Sequence, residues 1–330
     1  MNLFQRYLAE EFAEDYEEGR LSRRDALKLI ASVTGSLIVA NSILVSCAPP
    51  PQATGTSVTS PTDSPTDAHP ISDSPTAASA ATDSSVPSAP YGTVMPDDPA
   101  IIASEIQFPA ADDTPLMGYL AQPSSGAGSP VILVCHENRG LTPHIQDVTR
   151  RFAKAGYVSL AVDLLSRQGG SAAVGEGNVP GALGNIQPDQ FVEDFKSGWR
   201  YLQNLSFAQA DKVGMTGFCF GGGVTWQVAA HMPELLAAAP FYGPHPSIED
   251  VPNIHAAVLG IYGELDERIN GGIPAIEEAM RANNKIYEKM IYPNADHAFH
   301  NDTGPRFHAG SAKDAWERTL AWFDKYVRNV

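Results

Sequence analysis

Cys219 stands in Gly217-Phe218-Cys219-Phe220-Gly221-Gly222-Gly223, after the apolar run 213–217 and at the opening of an amphipathic stretch. A thiol on a tight strand-to-helix turn is placed to attack an acyl carbon, and the glycines let strand and helix approach closely. Two partners follow in order. Asp266 ends Ile261-Tyr262-Gly263-Glu264-Leu265-Asp266, and His297 ends Tyr292-Pro293-Asn294-Ala295-Asp296-His297, each just beyond an apolar run. Neutral imidazole can take the thiol proton, while a carboxylate fixes its tautomer and stabilises the imidazolium. Singly, each residue has a plainer reading: a buried small thiol, a solvated loop Asp, a solvated loop His, or glycines that cradle a phosphate. As an ordered set, each member beyond a strand end, they form a candidate catalytic group. A helix amino end beneath Cys219 is expected to favour thiolate. Backbone N–H groups of Phe220 and Asn138 are the expected oxyanion donors.

The elements that must hold these residues alternate. Runs 101–108 and 116–121, divided by Asp112-Asp113-Thr114-Pro115, predict an antiparallel hairpin. Strands are then expected at 131–134, 158–162, 213–217, 237–241, 258–262 and 286–291. Helices are expected at 143–155, 189–205, 221–230, 274–283 and 312–326, the last marked by Trp316, Leu320, Phe323 and Val327. This alternation predicts an α/β fold: a mostly parallel sheet with helices on both faces, its chemistry beyond the carboxyl ends of the strands. The nucleophile–acid–histidine order is that of the α/β-hydrolase fold. No large cap domain is expected. No repeat of fixed period appears, which removes solenoids and propellers.

Over roughly residues 101–330 the chain resembles the dienelactone hydrolase (carboxymethylenebutenolidase) family. The resemblance is carried by Cys135-His136-Glu137-Asn138-Arg139-Gly140-Leu141, Ala155-Gly156-Tyr157-Val158 through Asp163-Leu164, Gly217-Phe218-Cys219-Phe220-Gly221-Gly222, Tyr262-Gly263-Glu264-Leu265-Asp266 and His297-Ala298-Phe299. It implies hydrolysis of a small ester or lactone through an acyl-cysteine intermediate, with no cofactor. It also implies that Glu137 contacts the resting thiol and helps create the thiolate when substrate arrives; the plainer reading pairs Glu137 with Arg139 or another loop cation. The family's lactone hydrolases hold the substrate carboxylate with arginines, one of them four residues after the catalytic histidine. Asn301 stands there in this chain, leaving Arg139 as a replacement charge. A general carboxylesterase of unrelated substrate and a non-catalytic binding protein retaining the fold are the alternatives.

Other chemistry is disfavoured. His136-Glu137 lacks a second histidine four residues on, so no metal site is expected, and Cys135 reads as a core residue at a strand end. Net charge is −16 overall, and −14 without residues 1–46 (17 Lys/Arg against 31 Asp/Glu), so no basic stripe exists to bind nucleic acid. Three cysteines cannot build a disulfide framework. The glycine-rich segment 168–188 reads as a mobile loop near the pocket or a surface insertion.

The first hundred residues read as address and tether. Arg23-Arg24 precede the charge-free stretch 29–46, the layout of a twin-arginine export signal, although a transmembrane helix of marginal length is the alternative. Leu44-Val45-Ser46-Cys47 resembles a bacterial lipobox with Cys47 as lipidation site; the plainer reading is a cysteine ending an uncleaved signal anchor. Residues 48–98, rich in Pro, Ser and Thr, read as a disordered tether. The expected organisation is a 1–47 export signal, a 48–98 tether and a 99–330 hydrolase domain. The protein is then expected to be exported across the bacterial cytoplasmic membrane and lipid-anchored on the extracytoplasmic side.

Overall fold

The computed structural model describes residues 1–46, 92–125 and 128–330; Cys47 and the tether up to residue 91 lie outside them. Three helices open the chain: α1 (Leu3–Glu17), α2 (Arg23–Thr34) and α3 (Leu37–Ser46). The sheet-bearing unit follows as β1 (Ile101–Pro109), β2 (Pro115–Pro123), β3 (Ser129–Cys135), α4 (Pro143–Lys154), β4 (Val158–Val162), α5 (Ser171–Val174), α6 (Val179–Gly184) and α7 (Pro188–Leu202). It continues as β5 (Ala208–Phe218), α8 (Phe220–His231), β6 (Ala237–Phe241), β7 (Ala257–Gly263), α9 (Glu267–Asn270), α10 (Ile273–Ala282), β8 (Tyr287–Tyr292) and α11 (Ala309–Phe323).

The eight strands form one sheet in the order β1-β2-β4-β3-β5-β6-β7-β8, antiparallel at β1/β2 and β2/β4 and parallel from β4 to β8. Strands β4, β6 and β7 are buried at every residue, as expected of parallel strands flanked by helices. The α/β-hydrolase architecture is thus the one the alternation predicts.

Three boundaries differ from the sequence reading. The ordered unit begins before residue 99: Val94 donates from its N–H to Asp147 Oδ1 at 2.7 Å and receives Arg150 Nε at 2.5 Å, so α4 ties down the end of the expected tether. Segment 168–188 is not an open loop, because α5 and α6 fold there and bury Val179 and Leu183. The stretch 29–46 is broken by Gly35, whose left-handed φ of 69° caps α2. Among the described residues no helix is long and apolar enough to cross a membrane.

The largest departure is at the amino end. Helix α1 is capped reciprocally by Asn2 and Gln5 and buries Phe4, Tyr7, Leu8 and Phe12 against the body of the protein. Phe4 packs 5.2 Å from Phe191 and 4.8 Å from Phe220, centroid to centroid. At roughly 1.5–3 kcal/mol for each large apolar side chain removed from water, this seat contributes about 6–12 kcal/mol before the entropy of ordering is subtracted. The segment expected to serve as an export signal is therefore packed as part of the fold, and its first helix lies over Cys219 and His297.

Candidate active site

Strand β5 ends at Phe218 and α8 begins at Phe220, so Cys219 alone makes the turn. Its φ of 59° and ψ of −122° are adopted rarely by a side chain larger than hydrogen and cost about 1–3 kcal/mol, which the surrounding packing must hold. The glycines explain how. A Cβ on Gly221 would lie 2.4 Å from the carbonyl oxygen of His136, and one on Gly217 would lie 2.2 Å from that of Gly221. Strand, turn and helix can close on one another only without those side chains.

His297 and Asp266 meet beside the thiol. The loop after β7 delivers Asp266, which also caps α9 by accepting from Ile269 N–H, and the loop after β8 delivers His297. His297 Nδ1 lies 2.6 Å from Asp266 Oδ2, with both residues almost fully buried. Burial opposes an imidazolium, yet the Asp266 charge and hydrogen bond outweigh it and hold the His297 pKa well above the ordinary histidine value. Asp266 is correspondingly held low: burial acts upward, and His297 more than reverses it. The His297 loop is pinned to α4 through Asp302, which receives His144 Nδ1 at 3.0 Å and Arg151 at 2.5 Å.

The thiol's immediate neighbours come from α1. Tyr7 Oη lies 3.1 Å from Cys219 Sγ and 3.3 Å from His297 Nε2, in contact with both. Glu11, 4 % exposed, brings its carboxylate oxygens to 3.6 and 3.7 Å from Sγ. Burial pushes the Cys219 thiol up, and the Glu11 charge pushes it further, against the pull of His297. The thiolate expected from the helix amino end is thus not favoured in this arrangement. Burial, with the charges of Cys219 and Glu11, likewise raises the Tyr7 hydroxyl well above the usual tyrosine range.

The remaining candidates divide. Glu137 lines the same cavity but does not touch the thiol in a hydrogen bond; its Oε2 accepts from Asn301 Nδ2 at 2.7 Å, and the carboxylate in reach of Sγ is that of Glu11. Nor does it pair with Arg139, which is two-thirds exposed and lies 3.4 Å from Glu176. Asn138, on the loop after β3, gives its side-chain amide to Glu11 at 3.1 Å, and Phe220 opens α8 beside Cys219. Cys135 is fully buried at the end of β3. A cavity of about 430 Å³ adjoins Cys219 and His297, and its wall includes Glu137, Asn138, Arg139, Asn301 and Arg306 together with Glu11, Phe12 and Asp15 of α1.

Tyr7, Glu11, Arg268 and Arg306 are the site residues that the sequence reading misses. The signal for the first two was present: Phe4, Leu8 and Phe12 recur at helical spacing behind a capping box, ahead of the paired arginines. Arg268 stands 4.7 Å over the Tyr7 ring and 3.0 Å from Glu14, clamping α1 to the loop that carries Asp266. Glu11, Cys219 and His297 also form a trio with metal-ligand atoms within 4.8 Å of one another, among the described residues, with the Tyr7 hydroxyl in contact with two of its members.

The chain is similar to known proteins over most of its length. A protein of Methylorubrum extorquens provisionally named carboxymethylenebutenolidase is 34% identical over 253 residues, covering 73% of this chain and 87% of its own. A similarly named protein of Escherichia coli O157:H7 is 34% identical over 249 residues, covering 70% of this chain and 89% of its own. The crystal structure of a Klebsiella pneumoniae protein provisionally described as a dienelactone hydrolase superimposes with a TM-score of 0.65 at 33% identity, over 69% of this chain and all of that one. An Anabaena variabilis dienelactone hydrolase, at 21% identity and a TM-score of 0.56, shares the fold. Residues 116–327, which hold Cys219, Asp266 and His297, match the model of the dienelactone hydrolase family, and the chain belongs to that family.

Proposed function

We propose that the protein cleaves a small ester or lactone through an acyl-cysteine intermediate, with Cys219 as nucleophile, His297 as base and Asp266 as the carboxylate that orients it. Family membership makes the chain a hydrolase of ester- or lactone-cleaving type. The observation that supports these residue roles is the 2.6 Å contact between His297 Nδ1 and Asp266 Oδ2, which leaves Nε2 turned toward the thiol side of the pocket. His297 takes the thiol proton, the thiolate adds to the acyl carbon, and the oxyanion is met by the N–H groups of Phe220 and Asn138. The protonated imidazole then gives its proton to the leaving alkoxide, and a water activated by the same ring releases the acid.

Asn301 supports a substrate without the family's usual carboxylate anchor, because its amide is committed to Glu137. Comparing 4-nitrophenyl acetate with simple lactones, in wild type and Cys219→Ala, tests the reading. Loss of hydrolysis by about a thousandfold or more is expected for an intact nucleophile. Near-full activity of the variant would refute it.

We also propose export and lipid anchoring at Cys47. Arg23-Arg24 and Leu44-Val45-Ser46-Cys47 support this, as do Leu37, Ile38 and Val45 of α3, which are 64%, 81% and 61% exposed, an unusual outlay of apolar surface to water. Fatty-acid labelling should mark the wild type and not Cys47→Ala; label persisting in the variant would remove the assignment.

A further inference from the structure

We propose that α1 is an autoinhibitory segment: with residues 1–46 attached and seated, the helix occupies the space at Cys219 and His297 that an ester must enter. The proposal rests on the reading of Cys219 as nucleophile, but it stands on separate observations.

The first is position. For acyl transfer, the leaving oxygen must sit between Sγ and His297 Nε2, since Sγ forms its bond to the acyl carbon while Nε2 delivers a proton to that oxygen as the acyl carbon–oxygen bond breaks. Tyr7 Oη holds that place, at 3.1 and 3.3 Å from the two atoms. Cys219 is left 3 % exposed and His297 2 % exposed.

The second is charge. A helix that belonged to the catalytic machinery would make the thiol easier to ionise. Glu11 does the reverse, since a carboxylate 3.6 Å from Sγ opposes a second negative charge there. It also engages the Asn138 side chain, on the loop that is to supply an oxyanion donor.

The third is how the segment is held. Its ties to the catalytic unit are side-chain contacts: Phe4 against Phe191 and Phe220, Glu14 to Arg268 at 3.0 Å, and Arg306 4.0 Å from Asp15. Helix α2 is seated in the same way, on α6, where a Cβ on Gly181 would meet Ser32 at 2.7 Å. No strand of the sheet comes from residues 1–46, so their departure leaves every strand pairing in place. The segment also carries the paired arginines and ends one residue before Cys47. Cleavage at that cysteine would detach α1, so the enzyme would be uncovered as it reaches its anchor.

The test unseats the helix in the full-length chain. Phe4→Asp with Leu8→Asp places two charges in its apolar seat; circular dichroism and thermal melting establish that the body stays folded. Iodoacetamide labelling at Cys219, read by peptide mass spectrometry, and turnover of 4-nitrophenyl acetate should both rise by about tenfold or more, because only the uncovered fraction reacts. A synthetic peptide of residues 1–20 added in excess should reverse the rise, and its Tyr7→Ala form should do so less well. Should the double variant aggregate, Tyr7→Ala with Glu11→Ala keeps the Phe4, Leu8 and Phe12 seat and should still speed labelling. Labelling and turnover that stay level or fall in a folded variant overturn the proposal, and they leave the nucleophile assignment standing if Cys219→Ala abolishes the residual turnover. Labelling that rises while turnover stays absent sustains the cover and overturns the acyl-transfer reading instead.

Discussion

Replacing Glu11 by Gln isolates the electrostatic part of the α1 contact. The two side chains have the same size, and the Gln carbonyl can keep the bond from Asn138 Nδ2, so the helix should remain seated. The Glu11 oxygens lie 3.6 and 3.7 Å from Sγ. Two unit charges at that separation interact by about 4.5 kcal/mol at an effective dielectric of ~20. Part of the Glu11 charge is already spent on the Asn138 amide, so the effect on the thiol is smaller than that bare interaction. The sign is definite. Glu11 disfavours the thiolate and raises the Cys219 pKa, so removing its charge must bring ionisation to lower pH. His297 pulls the other way and remains, as does Glu137, whose charge also acts upward on the thiol, while Tyr7 keeps its contact with Sγ. The assay is the rate of Cys219 alkylation across a pH series, with the site read by mass spectrometry. A midpoint that moves down in Glu11→Gln supports the placement of this carboxylate against the thiol. An unchanged midpoint, or one that rises, would refute it.

Further outcomes follow from the same geometry. Asp266→Asn removes a buried charge-assisted bond to His297 and should lower turnover by about tenfold to a hundredfold (~1.5–3 kcal/mol), less than Cys219→Ala; an equal loss in the two would mean the carboxylate does more than orient. His297→Ala should match Cys219→Ala, and the double variant should be little worse than either, whereas additive losses would mean that the two do not act as a unit. Gly221→Ala forces a methyl to within 2.4 Å of the His136 carbonyl and should destabilise by about 1–3 kcal/mol or more, read by thermal melting. Gly310→Ala, whose added carbon meets nothing within 4 Å inside α11, should be neutral or stabilising by up to about 1 kcal/mol; equal melts for the two variants would remove the steric account of the turn.

The sequence by itself determined the sheet, the order of its elements and the positions of Cys219, Asp266 and His297. Those features are local: apolar runs, broken in β4 only by Ser159, mark β4, β6 and β7, and glycines at 217 and 221 mark a turn where backbone must touch backbone. Strand ends then locate the chemistry, because parallel strands put their carboxyl ends on one edge. What surrounds the thiol was not local. Tyr7 is 212 residues from Cys219 and Glu11 is 208 residues away, and a motif of paired arginines before an apolar stretch drew that segment's reading toward address alone. Asn301 is recognisable in sequence only as a missing arginine, while its bond to Glu137 spans 164 residues and exists only once the loops after β3 and β8 face each other. Tertiary packing alone decided that a carboxylate from α1, rather than Glu137, lies against the thiol. Periodicity reports which face of a helix is apolar, and only the folded body has the complementary surface that receives it.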